Sequence, residues 1–316
     1  LKARSRYLFV SRPTVCTTPT GDMKPAPHIE GECSDSDDEG LAIMKPADVQ
    51  KLELIGDGQT ATVYRGTYKG QEVAIKEMHD LSVMKQKDQV NLEREINILR
   101  SVSHPHLVGL IGIMEYPGKI WIITNLCRGG DVFELLHNSG MTLQWKQKLR
   151  IAADVASAMK YLHGQAPPIV HRDLKSLNLL LMTPVMGIQD EPYVKVADFG
   201  LARMLDEGNF MTKNTGTYHW MAPEQLNESP YDSKVDVYSF SMVLYEIICQ
   251  ELPFADVKPM MVCIVVVRGE RPDMAKVPLD APEFLTELMV RCWAGAPADR
   301  PSFAEMLPAL NAACPK

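Results

Sequence analysis

The sequence lacks the features of a membrane, secreted or zinc-binding protein. Its longest uninterrupted apolar run, Met260–Val267, is far shorter than the about 20 residues that a membrane-spanning helix needs. The apolar stretch Tyr7–Val10 is likewise too short for the core of a signal peptide. The seven cysteines form no CxxC pair and no Cys/His cluster with the spacing of a zinc site. This scatter predicts reduced, mostly buried thiols in a cytoplasmic protein, with Cys127 as the candidate if one thiol is reactive.

Positive charge is also scarce, because 40 acidic residues outnumber 33 basic ones and give a formal net charge of −7. An acidic balance argues against nucleic acid or an anionic membrane as the main partner. The sequence has no Gly-x-x-x-x-Gly-Lys-Ser/Thr run, which excludes a P-loop nucleotide enzyme. Its composition is globular: 46% of the 316 residues are hydrophobic and 23% are charged, enough for one large domain or two lobes.

Residues 1–47 differ from the rest of the chain. Thr14–Pro27 is rich in Thr and Pro, and Glu30–Glu39 is an acidic run that contains Ser34 and Ser36. Neither stretch has an apolar period, so we expect residues 1–47 to form a disordered tail or linker. The two serines are candidate targets of an acid-directed kinase, although a merely solvated acidic run is the favoured explanation.

The remaining sequence, residues 48–314, changes from strand-like to helical patterns. Short apolar segments bounded by glycine predict an antiparallel sheet with one amphipathic helix, Asp88–Val102. We therefore predict an α+β fold with a small β-rich lobe at 48–126 and a larger, mainly α-helical lobe at 127–314. Further strands are predicted at Leu107–Met114 and Lys119–Asn125, and helices at Trp145–His163, Lys234–Gln250, Pro282–Trp293 and Ser302–Ala313.

A glycine-containing loop, Ile55–Val63, lies between the first strand patterns. Gly56 and Gly58 have no side chains, so their backbone N–H groups can approach phosphate oxygens closely. The signal is weak by itself, since most Gly-x-Gly pairs are ordinary turns. A dinucleotide fingerprint is disfavoured because no helix pattern follows and Ala61 stands in place of the third glycine. Lys76, downstream in an apolar strand, precedes a helix whose acidic residues can pair with it.

Two later motifs contain the residues that phosphoryl transfer requires. The reaction needs a carboxylate near the attacking hydroxyl, a cation on the phosphates and ligands for Mg²⁺. Asp173 can accept or orient the substrate proton, and Lys175 can neutralise phosphate charge. Asn178 can hold Mg²⁺ beside Asp198. The two motifs are His171–Asn178 (HRDLKSLN) and Val196–Gly200 (VADFG).

These motifs resemble those of the protein kinase superfamily, and the resemblance covers roughly residues 48–314. It implies a bilobal kinase fold, ATP and Mg²⁺ as cofactors, and protein substrates. Within the superfamily, the chain is similar to the tyrosine-kinase-like group, near the mixed-lineage and Raf-like kinases. The landmarks in family order are the glycine loop, Val73–Lys76, His171–Asn178, Asp198–Gly200 and Met221–Glu224, and the group features are His104–Val108, Gly216–Met221, Tyr238–Phe240 and Arg300–Phe303.

The resemblance implies a nucleotide pocket built mainly from the small lobe. Lys76 would hold the α- and β-phosphates and pair with Glu95 rather than Glu93, because the distance of Glu95 from His104 matches the family spacing. Gly56 and Gly58 would cover the phosphates. The adenine would lie between Ile55, Val63, Ala74 and Leu180, with Thr124 as a small gatekeeper and the backbones of Asn125 and Cys127 at its edge.

At the reaction centre, the resemblance makes Asp173 the catalytic base and Lys175 the contact to the γ-phosphate. Asn178 and Asp198 would be the Mg²⁺ ligands. Lys175 and Thr217 resemble the residues of Ser/Thr kinases. Tyrosine kinases usually have an Ala/Arg arrangement in the loop that contains Asp173 and Lys175. A dual-specificity or tyrosine kinase is one alternative. A pseudokinase scaffold is the other, although pseudokinases generally lose one of the residues that are retained here.

The resemblance also implies supporting and regulatory residues. Glu224 and Arg300 match a buried ion pair that anchors the substrate-binding segment. Arg172 is a cation that a phosphorylated loop residue can pair with, and Thr212 and Thr215 are the best-placed acceptors for an upstream activating kinase. Alternatively, Thr212 and Thr215 are ordinary polar residues of a loop, with no role in regulation. The apolar stack that aligns the active state, with its anchor, would consist of Leu99, Leu110, His171, Phe199 and Asp236.

The sequence departs from the family pattern at two places. Ala61 replaces the third glycine of the loop and is expected to stiffen the turn that covers the phosphates. The connection between Leu181 and Val194 is longer than the usual tight hairpin, and we expect it to be a surface elaboration.

Overall fold

The computed structural model describes residues 44, 46–58, 61–78, 86–116, 119–199, 202–204, 218–227 and 229–314. Most of the predicted tail lies outside these residues, as do Gly200, Thr212, Thr215 and Thr217, so the expectations about them stay predictions. Among the described helices, none combines the length and apolar character needed to cross a membrane.

The small lobe is built on an antiparallel sheet. Among the described residues, five strands form it in the order β1-β2-β3-β5-β4. Strand β5 has the predicted bounds, but β4 begins at Leu110 and not at Leu107. The residues before β4 pair with the other lobe instead: Leu107 bridges Val196, and Val108 N donates to Val196 O at 2.9 Å. The strands are β1 Val49–Asp57, β2 Ala61–Tyr68, β3 Gln71–Met78, β4 Leu110–Tyr116 and β5 Lys119–Asn125.

The two faces of this sheet belong to different apolar layers, because side chains alternate along each strand. On β3, Val73 and Ile75 are fully buried on the outer face, and Lys76 lies on the opposite face. Met44, which precedes β1, covers the outer face. A β-carbon at Gly112 would lie 2.5 Å from Met44 Sδ, so the glycine allows this close approach. The outer layer consists of Met44, Val49, Val73, Ile75, Met114 and Ile123.

Helix α1, Gln86–Ser101, packs on the inner side of the sheet and belongs to the main core. Leu92, Glu95 and Leu99 are buried and recur at intervals of three and four residues, which places them on one face of the helix. The helix begins two residues before, and ends one residue before, the predicted Asp88–Val102. It therefore presents a carboxylate and two leucines together.

Helices form most of the second lobe, and α5 lies at its centre. Every residue of α5 from Val235 to Ile248 is buried, including the carboxylates of Asp236 and Glu246. Helix α3 has the predicted bounds, and α5, α7 and α8 agree with the predictions within one residue at each end. The helices are α2 Val132–His137, α3 Trp145–His163, α4 Pro223–Leu226, α5 Lys234–Cys249, α6 Pro259–Val267, α7 Glu283–Cys292 and α8 Phe303–Ala313.

Two short antiparallel pairs hold the segments that carry the chemistry. One pairs β6, Ile169–Val170, with β9, Arg203–Met204. The other pairs β7, Leu179–Leu181, with β8, Val194–Val196. The predicted α+β, bilobal architecture is confirmed, with the candidate reactive residues between the two lobes.

Candidate active site

The lysine of β3 and the glutamate of α1 form an ion pair at the inner face of the sheet. Lys76 Nζ lies 2.6 Å from Glu95 Oε1. Glu95 is buried and Glu93 is exposed, so the structure agrees with the partner expected from the sequence. Val63 is directly opposite Lys76 in the sheet, and residues in such pairs project from the same face. The ammonium group is thereby fixed on the inner face of the sheet.

The side chains expected around the adenine come from both lobes. Ala74 opposes Thr124 in the sheet, and both share a face with Val63 and Lys76. Leu180 comes from the other lobe, where its neighbours on β7 are fully buried. Ile55, Val63, Ala74, Thr124 and Leu180 are all half-buried, which leaves their apolar surface partly available to a ligand.

The segment that joins the lobes offers backbone groups. Asn125 N donates to Gly109 O at 3.1 Å, and Gly109 N donates to Asn125 Oδ1 at 2.9 Å. The Asn125 amide is therefore used internally, whereas its carbonyl accepts only a long contact of 3.5 Å from Thr124 Oγ1 among the described hydrogen bonds outside the sheet. Cys127 packs with its Sγ 3.6 Å from Met182 Sδ. Burial raises the pKa of the Cys127 thiol to about 11, so the thiol is protonated at neutral pH, which favours the unreactive interpretation.

Asp173 is the most constrained carboxylate of the site. Its Oδ2 lies 2.5 Å from Lys175 Nζ and 3.1 Å from Asn178 Nδ2, and Asn178 Nδ2 also donates to Asp173 O at 2.8 Å. Its Oδ1 is buried and has no hydrogen-bond partner among the described residues. A buried acceptor without a partner costs about 1–3 kcal/mol, so this oxygen has a reason to be kept for a ligand.

The electrostatic surroundings of Asp173 favour a basic carboxylate. Burial raises the pKa of Asp173 and nearby Asp198 raises it further, while the charge of Lys175 opposes both effects. A carboxylate with a raised pKa accepts a proton more readily than an ordinary aspartate. The arrangement suits a group that exchanges a proton, since burial and Asp198 favour its protonated form and the adjacent ammonium group of Lys175 favours its ionised form.

Asp198 lies at the end of β8, beside the segment that contains Asn178. The two segments are tied by Ala197 N, which donates to Asn178 O at 2.9 Å. Asp198 has a φ of +66°, a left-handed conformation that costs a non-glycine residue energy and is often found at functional sites. In the described part of the chain, no three His, Cys, Asp or Glu side chains come together as metal ligands. One carboxylate and one amide instead fit Mg²⁺, which takes few protein ligands and completes its shell with water and phosphate.

Asp236, a carboxylate of α5, holds the backbone at the start of His171–Asn178, which we refer to as the catalytic segment because it contains the candidate base. Its Oδ2 accepts from His171 N and its Oδ1 from Arg172 N, each at 2.8 Å. Burial alone would raise the pKa of Asp236, but the hydrogen bond from His163 and the neighbouring charges and amides lower it. The His171 and Phe199 rings lie 5.6 Å apart and both are buried. Leu99 is buried and Leu110 partly buried, so the members of the predicted stack belong to one core.

The predicted ion pair of the substrate-binding segment is present and buried. Both oxygens of Glu224 accept from the guanidinium of Arg300, with Nη2 at 3.0 Å from Oε2. Arg300 is 1% exposed and also donates to Lys234 O and Ala294 O. The pair fixes the start of α4 against the end of the lobe. Because it is bidentate, it also sets the orientation of that segment.

A second carboxylate of α5, Glu246, is a functional candidate that the sequence analysis missed. Its Oε1 accepts from Ser176 Oγ at 2.7 Å and lies 2.9 Å from His137 Nε2. Its Oε2 accepts from Trp220 Nε1 at 2.6 Å. One fully buried side chain thus joins the catalytic segment, α2 and the substrate-binding segment. An acidic residue among the apolar residues at the end of α5 was the available signal, because buried charges need partners.

Both departures from the family pattern are resolved by the structure. Ala61 begins β2, has no positive φ, and accepts a hydrogen bond from Gly58 N at 2.9 Å. The position therefore does not require glycine. The long connection is a braced surface loop: Asp190 Oδ2 accepts from Met186 N and Gly187 N at 2.7 and 2.9 Å. This agrees with the expected surface elaboration.

Comparison with known proteins relates this arrangement to protein kinases. The family described as protein tyrosine and serine/threonine kinase matches residues 49–310. The serine/threonine-protein kinase STY17 of Arabidopsis thaliana is 38% identical over 88% of this chain and 46% of that protein. The serine/threonine-protein kinase TNNI3K of Rattus norvegicus is 36% identical over 85% of this chain and 32% of that protein. The serine/threonine-protein kinase CTR1 of Arabidopsis thaliana is 35% identical over 84% of this chain and 31% of that protein. The chain spans less than half the length of these curated relatives, each of which is named a serine/threonine-protein kinase.

Proposed function

Because the chain belongs to the protein tyrosine and serine/threonine kinase family, we propose that it transfers the γ-phosphoryl group of Mg·ATP to Ser or Thr hydroxyls of protein substrates. The observation that carries this proposal is Asp173, whose Oδ2 is held by Lys175 and Asn178 and whose Oδ1 is buried without a described partner. That oxygen accepts the proton of the attacking hydroxyl. Lys175, next to it, neutralises charge on the transferred phosphoryl group.

The cleft residues bind and orient the nucleotide. Lys76, fixed by Glu95, contacts the α- and β-phosphates, and the backbone of the loop with Gly56 and Gly58 covers them. The Asn125 carbonyl and the Cys127 amide hydrogen-bond the adenine edge. The adenine faces are contacted by Ile55, Val63, Ala74 and Leu180, with Thr124 at the back of the pocket.

Asn178 and Asp198 hold Mg²⁺ in this proposal. They lie on neighbouring segments that are joined by the Ala197–Asn178 hydrogen bond, and their oxygen donors match the ion. When bound, the ion supplies positive charge that offsets the charge of the phosphates. The chain contributes the positions of the two ligands, one of them enforced by the left-handed backbone of Asp198.

The proposal can be tested on the purified chain with ATP, Mg²⁺ and a generic basic protein as acceptor. Asp173→Asn is expected to lower kcat about 10²–10⁴-fold, the range for loss of a general base. Asp256→Asn is the matched control, since Asp256 is exposed and has no role in the proposed reaction. Equal activity of the parent and Asp173→Asn would favour the pseudokinase scaffold. A positional peptide library then decides between Ser/Thr and dual specificity.

Regulation by an upstream kinase acting on Thr212 or Thr215 belongs to the same proposal. Arg172 lies beside Asp173, and its guanidinium stacks over the Tyr231 ring at 5.5 Å. A phosphorylated loop residue can pair with such a cation and order the segment. Replacing both threonines by Ala should abolish the activation that follows phosphorylation. Undiminished activity of that variant would sink the idea.

We also propose a cytoplasmic location. The support is the reduced-thiol pattern: in the described residues every cysteine is free, and Cys292 is fully buried. Localisation of the tagged full-length protein tests this directly.

A further inference from the structure

Helix α6 has an apolar surface that faces solvent. Val262 and Val266 are fully buried, as one face of the helix should be. On the other side, Met260 is 76% exposed, Met261 43% and Ile264 39%. Val267, at the end of the helix, is 40% exposed. A helix that is apolar on all sides is normally buried, so this one is built to be covered by something else.

The exposed residues form one continuous stripe. Met260, Ile264 and Val267 are separated by four and three residues, and Met261 stands three residues before Ile264, so all four share a face. None of them contributes to the apolar core of the lobe. Two of the four are methionines, whose flexible and polarizable side chains adapt to different partners. We refer to Met260, Met261, Ile264 and Val267 as the α6 stripe.

Unpaired positive charge stands at each end of the α6 stripe. Lys258 is the N-cap of the helix and Arg268 is its C-cap, and both are exposed. Neither side chain has a hydrogen bond or ion pair with any residue that the structure describes. Nearby Asp256 is already paired with Lys276, and Glu270 lies beyond the helix end. The two free cations favour a partner with acidic groups on both sides of an apolar segment.

The size and position of the stripe favour a transient partner. Helix α6 has nine residues and is about 13 Å long, so its face is far smaller than the about 800 Å² per partner that stable complexes bury. It also packs against α4, which contains Glu224 of the Glu224–Arg300 pair. Both facts match a substrate protein that binds beside α4 and dissociates after each turnover.

We propose that the α6 stripe is a docking site for a protein substrate, and that it binds an apolar helical segment flanked by Asp or Glu at a distance from the phosphorylated residue. The effect of docking on substrate phosphorylation rests on the proposed kinase function. The docking itself is a binding event between Lys258, Arg268 and the stripe on one side and an acidic amphipathic segment on the other.

Direct binding is measured by fluorescence anisotropy of two labelled peptides on the parent chain. Both peptides have leucines at i, i+3, i+4 and i+7, and one is flanked by Glu and the other by Lys. The Glu-flanked peptide should bind several-fold more tightly, and Lys258→Ser with Arg268→Ser should remove that preference. Met260→Ser with Ile264→Ser should weaken binding about tenfold or more. Equal binding of both peptides would overturn the proposal.

The chain supplies a matched control in Met186 and Ile188, which are 82% and 60% exposed on the braced loop. Met186→Ser with Ile188→Ser removes the same two side-chain types and should leave binding unchanged. If this control weakens binding as much as Met260→Ser with Ile264→Ser, the peptide is reading general surface hydrophobicity and the α6 site is wrong. A parent chain that sediments as a dimer, with the Met260/Ile264 variant monomeric, also overturns it in favour of self-association.

The kinetic consequence is tested by joining the Glu-flanked peptide to an acceptor sequence selected on the parent chain. The fusion should lower the KM of the acceptor at least tenfold through effective concentration, and only when the stripe is intact. The unfused acceptor should have the same kcat and KM with the parent chain and with the Met260→Ser, Ile264→Ser variant. This result shows that the variant is folded. An equal KM gain in the stripe variant contradicts docking. If no acceptor is phosphorylated, the proposed function fails, whereas the anisotropy result still decides the docking site.

Discussion

Substituting Glu246 by Leu would remove the buried carboxylate that joins the catalytic segment to the substrate-binding segment. The change keeps a side chain of similar size but leaves Ser176 Oγ and Trp220 Nε1 without their acceptor in the interior of the lobe. His137 is partly exposed and can turn toward water. Two buried donors therefore lose their partner.

The magnitude follows from those two donors. Each unsatisfied buried group costs about 1–3 kcal/mol, and breaking a buried charged contact costs about 3–5 kcal/mol in total, so we expect Glu246→Leu to lose about 4 kcal/mol. In a domain of this size that lowers Tm by about 8–16 °C. Glu246→Gln should lose only about 1–2 kcal/mol, because its amide oxygen can accept from Trp220 and its NH₂ group can donate to Ser176 Oγ.

The functional effect should fall on the protein acceptor. Ser176 lies three residues after the proposed base Asp173 and Trp220 three residues before α4, whereas Lys76 and Glu95 belong to the other lobe. Glu246→Gln should therefore raise the KM of an acceptor peptide about three- to tenfold and leave the KM of ATP nearly unchanged. Thermal unfolding and steady-state kinetics measure the two effects.

Ile247→Ala is the matched control for Glu246. Ile247 is the next residue of the same helix, is fully buried and takes no part in the hydrogen-bond network. Its truncation should cost about 2–5 kcal/mol, which is comparable to the loss from Glu246→Leu. If Ile247→Ala raises the KM of the acceptor as much as Glu246→Gln does, the effect is general loosening, and the positioning role of Glu246 is refuted.

Lys175→Met should move the acidic limb of kcat/KM to higher pH, because burial raises the pKa of Asp173 and Lys175 opposes that rise; an unmoved limb in the pH profile contradicts this. Asp173→Asn should stabilise the fold at pH 7 by about 1–3 kcal/mol in urea unfolding. A pKa raised on folding means that the ionised form destabilises the folded state above that pKa, so the gain should vanish near pH 4, and a gain that grows on acidification refutes it. Met44→Ala should cost about 2–4 kcal/mol, whereas Met186→Ala at an 82% exposed position should change stability by less than about 0.5 kcal/mol.

Local patterns predicted the elements whose period is clear. Helix α3 is predicted at both ends because its apolar residues recur over five turns. The local pattern leaves Glu93 and Glu95 open as partners of Lys76, and only the family resemblance selects Glu95. Helix α6 was not predicted, since a run that is apolar on all sides has no helical period to detect. Glu246 was missed for another reason. Its partners Ser176 and Trp220 are 70 and 26 residues away, and no local pattern states which donors will meet a buried carboxylate.

The two carboxylates of α5 explain how the site divides its tasks. Asp236 fixes the backbone of His171 and Arg172, and Glu246, ten residues and about 15 Å further along the same buried helix, fixes Ser176 and Trp220. The distance between the proposed base Asp173 and the Trp220 segment is therefore set by contacts within one lobe. The distance from Asp173 to Lys76 spans the two lobes instead, because Lys76 is held by the Glu95 pair of the small lobe. We accordingly expect changes in α5 to act on the acceptor and changes in the Lys76–Glu95 pair to act on ATP, and a variant in either set that alters both KM values equally would argue against this division.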